Sequence, residues 1–128
     1  MNTFLSNQNI KMPNMIYGTA WKKENTTDLV YEALLQGFKG IDTACQPKHY
    51  REDLVGLGLL KAYEKGIKRE NIFLQTKFTP IDGQDKTNMP YLESDEIEVQ
   101  VDKSFERSKK NLKTDFIDSY ILHSPIYP

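Results

Sequence analysis

Short apolar runs and longer amphipathic segments alternate along the chain, and this order predicts an α/β fold. Residues 3–13 are expected to form a hairpin, with its turn at Asn7 and Gln8. After the hairpin, short apolar runs have the length and composition of buried strands. The predicted strands cover residues 15–20, 38–42, 71–77 and 116–123.

Between these strands, apolar residues recur at helical spacing and predict three helices. The first should begin at Asn25-Thr26-Thr27 and stop at Gly37, the second should span Glu52 to Lys65, and the third should run from a Ser94 cap to Leu112. The expected apolar faces are Leu29, Val30, Ala33 and Leu34 in the first helix, Val55, Leu59, Leu60 and Tyr63 in the second, and Ile97, Val101, Phe105, Ser108 and Leu112 in the third.

The alternation of strands and helices predicts a parallel sheet. Right-handed helical crossovers should place the four strands side by side, with their C-terminal ends on one edge. A hairpin followed by (βα)3β is half of a (β/α)8 TIM barrel, for which ~250 residues is usual, and this chain has 128. We expect no domain boundary within residues 1–128. A flavodoxin-like domain would also fit the length, but it needs a phosphate-binding loop after the first strand, where GTAWKKENT has one glycine.

Polar residues stand at the ends of three predicted strands. Asp42, Lys77 and His123 each close a strand, and Tyr50 follows the first of them. Because the C-terminal ends of parallel strands form the active face of α/β barrels, these side chains should converge on one pocket. An acid, a lysine, a histidine and a tyrosine together could make a proton-transfer site.

The longest irregular segment covers residues 78–93. It contains two prolines and a glycine, which interrupt both helix and strand. Loops of ~12–15 residues or more are uncommon unless they are functional or disordered, so this segment is a candidate substrate flap.

Composition and charge exclude some classes of protein, although they do not identify a function. The net charge of −1 gives no general attraction for nucleic acid or acidic membranes. The single cysteine, Cys45, cannot form an internal disulfide, and the N-terminal residues lack the features of a signal peptide. No apolar stretch approaches the ~20 residues that span a bilayer. We therefore expect a cytoplasmic protein with no nucleic-acid, membrane or metal partner.

Four motifs in order along the chain resemble those of the aldo-keto reductases. They are GTAW at residues 18–21, GIDTA at residues 40–44, QTK at residues 75–77 and FIDSYILHSP at residues 116–125. The N-terminal hairpin is similar to the one that closes the bottom of that family's barrel. The resemblance implies a barrel enzyme that reduces a small carbonyl compound with NADPH.

The resemblance also implies roles for individual residues. Asp42, Tyr50, Lys77 and His123 match the catalytic tetrad, with Tyr50 as general acid, Lys77 as the cation beside it and His123 as a hydrogen-bond partner of the carbonyl oxygen. Positions that match cofactor contacts are Gly18, Thr19, Ala20 and Asp42. Those expected to contact substrate are Trp21, Tyr50 and His123.

The sequence departs from the family pattern between the aspartate and the tyrosine. Many members carry the tyrosine five positions after the aspartate, where this chain has Pro47, whereas Tyr50 is eight positions on. Arg51-Glu52 stands in place of the family's Asn-Glu. His49, next to Tyr50, is the alternative candidate at this loop.

Two hypotheses from different classes follow. The first is the N-terminal half of an NADPH-dependent aldo-keto reductase. The second is a catalytically silent half-barrel that binds a partner, either a complementing C-terminal half or a second copy. The side chains expected on the barrel-facing side include Ile41, Phe73, Gln75 and Tyr120, and covering them would drive association.

Overall fold

A computed structural model describes residues 3–5 and 7–127. The N-terminal hairpin pairs β1 (Thr3–Leu5) antiparallel with β2 (Lys11–Pro13), and the turn includes Asn7 and Gln8 as expected. Pro13 lies against the start of the main sheet, since a Cβ at Gly40 would come within 2.8 Å of Pro13 Cγ. The hairpin therefore packs against the N-terminal end of the sheet.

The main sheet has four parallel strands in chain order. These are β3 (Ile16–Gly18), β4 (Gly40–Asp42), β5 (Phe73–Phe78) and β6 (Ser119–Leu122). The register pairs Gly18 with Asp42, Asp42 with Gln75, and Lys77 with Ile121. The predicted half-barrel topology is confirmed, although all four strands are shorter than expected; β5 begins two residues later and ends one residue later, at Phe78.

Three helices cross between the strands and cover one face of the sheet. They are α1 (Thr26–Leu35), α2 (Glu52–Glu64) and α3 (Ile97–Leu112). The buried core lies between these helices and the sheet and consists of Val30, Leu34, Ile41, Val55, Leu59, Ala62, Ile72, Leu74 and Leu112. No helix in the described part of the chain has the length and apolarity needed to span a bilayer.

The start of the third helix differs from the prediction. Ser94 does not cap it: the residue at the cap position is Glu96, whose side chain makes no capping hydrogen bond. Instead, the Asp95 carboxylate accepts a hydrogen bond from the Leu92 N–H and pairs with Lys103 at 2.7 Å. The preceding residues thus form a turn closed by Asp95, which delays the helix by two residues.

The buried side of α3 is more polar than its apolar pattern indicated. Ile97 is 40% exposed, whereas Gln100, Ser104, Ser108 and Leu112 are buried. The small serines let the helix approach the sheet closely. The predicted apolar faces of α1 and α2 are confirmed except at their margins, where Leu29 and Leu60 are exposed.

Two of the four expected barrel-facing residues face the helices instead. Ile41 is fully buried in the helix-side core, and the Tyr120 ring lies 4.9 Å from the ring of Phe105 on α3. Since side chains alternate along a strand, their neighbours Asp42 and Ser119 point to the opposite face. Phe73 and Gln75 alternate with the helix-facing Leu74, which places them on the predicted side.

The segment after β5 is fastened to the rest of the fold. A short 3-10 helix covers Ile81–Gly83, and the phenol of buried Tyr91 donates to the Thr79 carbonyl at 2.8 Å. The amide of buried Gln84 donates to the Cys45 carbonyl at 2.9 Å. The substrate-flap role remains a prediction.

The exposed edges of the sheet generate a prediction about assembly. On the edge strand β6, Ile121 and Leu122 are 38% and 54% exposed, and neither β3 nor β6 has a second strand partner among the described residues. We expect the isolated chain to associate, because an uncovered strand edge with apolar side chains recruits other strands. Light scattering over a dilution series should give a mass above 14.9 kDa.

A substitution on the edge provides the control for this prediction. Leu122→Lys should lower the association of the chain, because a lysine on an edge strand opposes pairing. A chain that stays monomeric at all concentrations, with or without the substitution, would contradict this interpretation.

Candidate active site

Three strand ends and one loop bring the predicted residues to the same edge of the sheet. Asp42 is the last residue of β4, Lys77 is next to last in β5, and His123 directly follows β6. Tyr50 lies in the loop between β4 and α2, two residues before the helix. The geometric part of the sequence prediction is therefore confirmed.

An ion pair between Asp42 and Lys77 is at the centre of this cluster. Lys77 Nζ lies 2.8 Å from both carboxylate oxygens of Asp42. The exposed fractions of the two side chains are 12% for Lys77 and 21% for Asp42. Limited exposure strengthens the attraction relative to a surface pair, and it makes the loss of either partner more costly.

The ammonium group of Lys77 has no proton left for another acceptor. Besides the two oxygens of Asp42, it donates to the Thr43 carbonyl at 2.9 Å, which accounts for its three N–H groups. The same ammonium lies 4.9 Å from the centroid of the Tyr50 ring. Lys77 thus faces the aromatic ring of Tyr50 in this structure, without a hydrogen bond to its phenol.

The Tyr50 ring stands between the lysine and the histidine. It makes a T-shaped contact with His123, with ring centroids 5.9 Å apart. The Tyr50 N–H donates to the Gln46 carbonyl at 2.9 Å, which fixes the turn before α2. Within residues 3–5 and 7–127 the phenol oxygen has no hydrogen-bond partner, so it is free to meet a ligand.

His123 is held by two interactions. Its backbone N–H donates to the Phe78 carbonyl at 2.9 Å, and the ring nitrogen Nδ1 lies 2.8 Å from Thr79 Oγ1. Burial, reinforced by the positive charge of Lys77, lowers the pKa of His123 below its usual value. When Thr79 donates to Nδ1, the neutral ring carries its proton on Nε2 and can donate it to a ligand.

Gln75 and Ser119 belong to the same network, and the sequence analysis did not assign them to the site. Gln75 Nε2 donates to Asp42 Oδ1 at 2.9 Å, and Ser119 Oγ donates to Gln75 Oε1 at 2.8 Å. The chain of hydrogen bonds runs across three strands and orients the Asp42 carboxylate. The sequence pattern that could have identified Gln75 is the alternation of side chains along a strand, which places Gln75 on the same face as Lys77.

Trp21 lies at the rim, beside the Tyr50 loop. Its indole is 63% exposed and stacks against His49 with ring centroids 4.1 Å apart. The backbone φ of Trp21 is +62°, a left-handed conformation that is uncommon for a bulky residue. The Trp21 N–H donates to the His49 carbonyl at 2.8 Å, which holds this conformation. Trp21 is therefore placed where it could contact a substrate.

The three residues that end the first strand differ in accessibility. Gly18 is exposed, and a Cβ added there would meet no atom within 4 Å. Thr19 is fully buried, and both its N–H and its hydroxyl donate to the Asp42 carbonyl, at 3.1 and 2.8 Å. Ala20 is half-buried. The open surface at this strand end is therefore at Gly18, while Thr19 joins β3 to β4.

The Asp42–Lys77 pair should contribute measurably to stability. Asp42→Asn and Lys77→Met are each expected to lower the free energy of unfolding by about 2 kcal/mol, less than the ~3–5 kcal/mol of a fully buried pair because water reaches both groups. The double variant should lose less than the sum of the two. Urea unfolding at a fixed protein concentration measures this coupling.

The exposed Lys61–Asp28 pair, at 3.1 Å, is the matched control. Its coupling should lie within the ~0–1 kcal/mol of surface pairs. Equal coupling in the two pairs would show that the Asp42–Lys77 contact has no special strength.

The lowered pKa of His123 gives the chain a pH-dependent stability. The unfolded chain binds the proton of His123 more readily than the folded chain does. The contribution of neutral His123 to the free energy of unfolding is therefore complete above the unfolded pKa of about 6.5, and it is lost as the pH falls through the lower pKa of the folded state. Urea unfolding at about pH 7.5 and about pH 5.5 should show this loss, and His123→Gln should reduce it. An NMR titration that placed the pKa of His123 above about 6.5 would contradict it.

Comparisons with known proteins agree with this architecture. A sequence model described as the aldo/keto reductase family matches residues 14–128. The chain is 31% identical over 121 residues to the NAD(P)H-dependent D-xylose reductase of Pachysolen tannophilus, covering 94% of this chain and 33% of that protein. It is 30% identical over 119 residues to the glyoxal reductase of Bacillus subtilis, covering 91% of this chain and 36% of that protein.

Solved structures show the same relationship. An aldo/keto reductase from Brucella melitensis has a TM-score of 0.73 and 30% identity, and the match covers 99% of this chain and 43% of that one. The aldose reductase from Schistosoma japonicum has a TM-score of 0.76 and 26% identity, over 98% of this chain and 37% of that one. The chain spans about a third of the length of the curated relatives. It belongs to the aldo/keto reductase family.

Proposed function

We propose that a complete barrel containing this chain reduces an aldehyde or a ketone to an alcohol, with NADPH as the hydride source. The observation that carries this proposal is the cluster of an Asp42–Lys77 ion pair, the Tyr50 ring and His123 at one sheet edge. The names of the relatives, a D-xylose reductase and a glyoxal reductase, support a carbonyl substrate and a nicotinamide cofactor.

The residues at the end of β3 fit one part of a nicotinamide cofactor. The space above Gly18 is open, and its strand neighbour Asp42 has a carboxylate that water still reaches. We assign contact with the nicotinamide ribose to Gly18, Ala20 and Asp42. Thr19 is fully buried, so its role would be to hold β3 against β4 beneath these residues. A bound nicotinamide would supply the hydride.

Tyr50 would act as the general acid. As the carbonyl carbon accepts hydride, the C=O electron pair moves to oxygen, and the phenol of Tyr50 gives this oxygen its proton. His123 would donate a hydrogen bond from Nε2 to the same oxygen and orient it. Trp21 would cover the substrate from the rim.

Lys77 would favour the phenolate that remains after the proton leaves. Its ammonium is close to the Tyr50 ring, and a nearby cation stabilises an anion. Asp42 holds the ammonium in place and offsets the cost of desolvating it. Charge stabilisation across this distance requires no hydrogen bond between Lys77 and the phenol.

The second candidate, a silent half-barrel that pairs with another half-barrel, is favoured by one observation. All three N–H groups of Lys77 are used within its own network, and the phenol of Tyr50 contacts no cation directly. A silent half-barrel needs no direct bond between the tyrosine and the lysine, and the structure shows none. Activity measurements distinguish the two candidates.

The proposed acid can be tested by removing one oxygen atom. In a complete eight-stranded barrel that contains this chain, Tyr50→Phe keeps the ring and loses the proton donor, so turnover should fall by on the order of 10²–10⁴. Binding of NADPH should change little, because the phenol is assigned to the substrate. Loss of absorbance by the reduced nicotinamide measures turnover.

His49→Ala is the control for this experiment, since His49 is adjacent to Tyr50 and stacks on Trp21. It should lower turnover much less than Tyr50→Phe. If His49→Ala abolished reduction while Tyr50→Phe left it intact, the assignment of the acid would be wrong. A complete barrel with no turnover of any tested aldehyde would favour the silent half-barrel.

A further inference from the structure

A buried carboxyl group beneath the active-site loop has no role in the reaction described above. Glu52 is the first residue of α2 and follows Tyr50 by two positions, yet it is only 3% exposed. Acidic residues at the first turn of a helix usually remain in water, where they interact with the helix dipole. Glu52 instead turns its side chain into the protein.

The carboxyl group of Glu52 joins three elements. Thr76 Oγ1 on β5 donates to Oε2 at 2.5 Å, and Asn111 Nδ2 on α3 donates to Oε1 at 3.2 Å. The close approach of α3 depends on Gly56, where a Cβ would lie 2.0 Å from the Asn111 carbonyl oxygen. Burial raises the pKa of Glu52, while the bond from Thr76 opposes that change.

Thr76 directly precedes Lys77, and the two side chains point to opposite faces of the sheet. Lys77 reaches the active-site face, where it binds Asp42, while Thr76 reaches the helix face, where it binds Glu52. The carboxyl group of Glu52 therefore binds β5 at Thr76, the residue directly before the active-site lysine.

The loop of residues 43–51, which carries Tyr50, is anchored to this strand at both ends. At its start, the N–H groups of Thr43 and Cys45 donate to the carbonyls of Gln75 and Lys77, at 2.9 and 3.2 Å. At its end, Glu52 supplies the bond to Thr76. The loop is thus clamped to three consecutive residues of β5.

The middle of the loop has less support. A cavity of about 420 Å³ lies between the loop and α3. It is lined by Pro47 and Tyr50 of the loop, by Glu52 at the end of the loop, and by Arg107 and Asn111 of α3. Other bonds of this segment go to neighbouring loops, such as the 2.6 Å bond from Gln46 Nε2 to the Gly83 carbonyl. Because packing behind the loop is incomplete, its position relative to the sheet depends on its anchored ends.

We propose that Glu52 is a positioning residue whose carboxyl group fixes the Tyr50 loop to the strand that carries Lys77. A carboxyl kept only for stability could be exchanged for any group that maintains the fold, whereas a positioning group must have the reach to bind Thr76. The catalytic meaning of this placement rests on the proposed reductase function. The placement itself is measured without activity, so the two can fail separately.

The two histidines of the chain report the position of the loop. His49 lies within the loop and stacks on Trp21, and His123 contacts the ring of Tyr50. The proton NMR signal of each imidazole C–H between the ring nitrogens is therefore shifted by an aromatic ring, and the distance between that ring and the imidazole depends on the position of the loop. The signals are assigned with His49→Ala, which removes one of them.

Two substitutions of Glu52 separate the effect of side-chain length from the effect of side-chain charge. Glu52→Asp keeps the charge but shortens the side chain, so both histidine signals should shift by more than their line width. Glu52→Gln keeps the length and can still bond to Thr76 and Asn111, so both signals should stay at their original positions. If circular dichroism shows that Glu52→Asp does not fold, Glu52→Met is used in its place. Methionine has the length of glutamate but cannot accept the hydrogen bonds from Thr76 and Asn111, so both histidine signals should again shift.

Asp118→Asn is the control for a general loss of stability. Asp118 pairs with Arg69 at 3.0 Å and accepts the Leu74 N–H, at the opposite end of β5. It should lower the urea midpoint and leave both histidine signals in place. The proposal is overturned if Glu52→Asp, or Met in its place, leaves both signals unchanged, or if Glu52→Gln shifts them as strongly.

Discussion

The Asp42–Lys77 ion pair is the constraint on which the active face depends. A lysine with little exposure needs an acceptor for each of its protons, and the three acceptors come from the end of β4 and the residue after it. The pair therefore fixes where β4 stops and where the Tyr50 loop begins. Gln75 and Ser119 extend the same network from β5 to β6, so the charge at the centre is held by three neighbouring strands of the sheet.

Strand β5 serves both sides of the sheet at this point. Its alternating side chains place Gln75 and Lys77 in the active-site network and Thr76 in the helix layer. The two layers are thus connected through consecutive residues of one strand, with backbone bonds between them. This arrangement explains how a loop with a cavity behind it can present Tyr50 in a defined position.

The sequence was sufficient to predict the half-barrel and the convergence of Asp42, Lys77 and His123, because strand ends in a parallel sheet share an edge. It was insufficient where tertiary contacts outweigh local preference. Ser94 has the chemistry of a helix cap, but the bonds of Asp95 delay the helix. Ile41 and Tyr120 were placed on the wrong face because strands of three or four residues give too few positions to determine the phase of the alternation.

The position of Tyr50 illustrates a further limit of sequence reasoning. Counting residues from Asp42 measures the length of the loop, but the length does not determine where the ring points. In the arrangement proposed here, the ends of the loop contribute to the direction of the ring: one end is tied by backbone bonds to β5, and the other by a glutamate that sequence patterns would place in solvent. A longer loop with the same two anchors can therefore deliver the phenol to the same edge, which is why Tyr50 meets both Lys77 and His123 despite the unusual spacing.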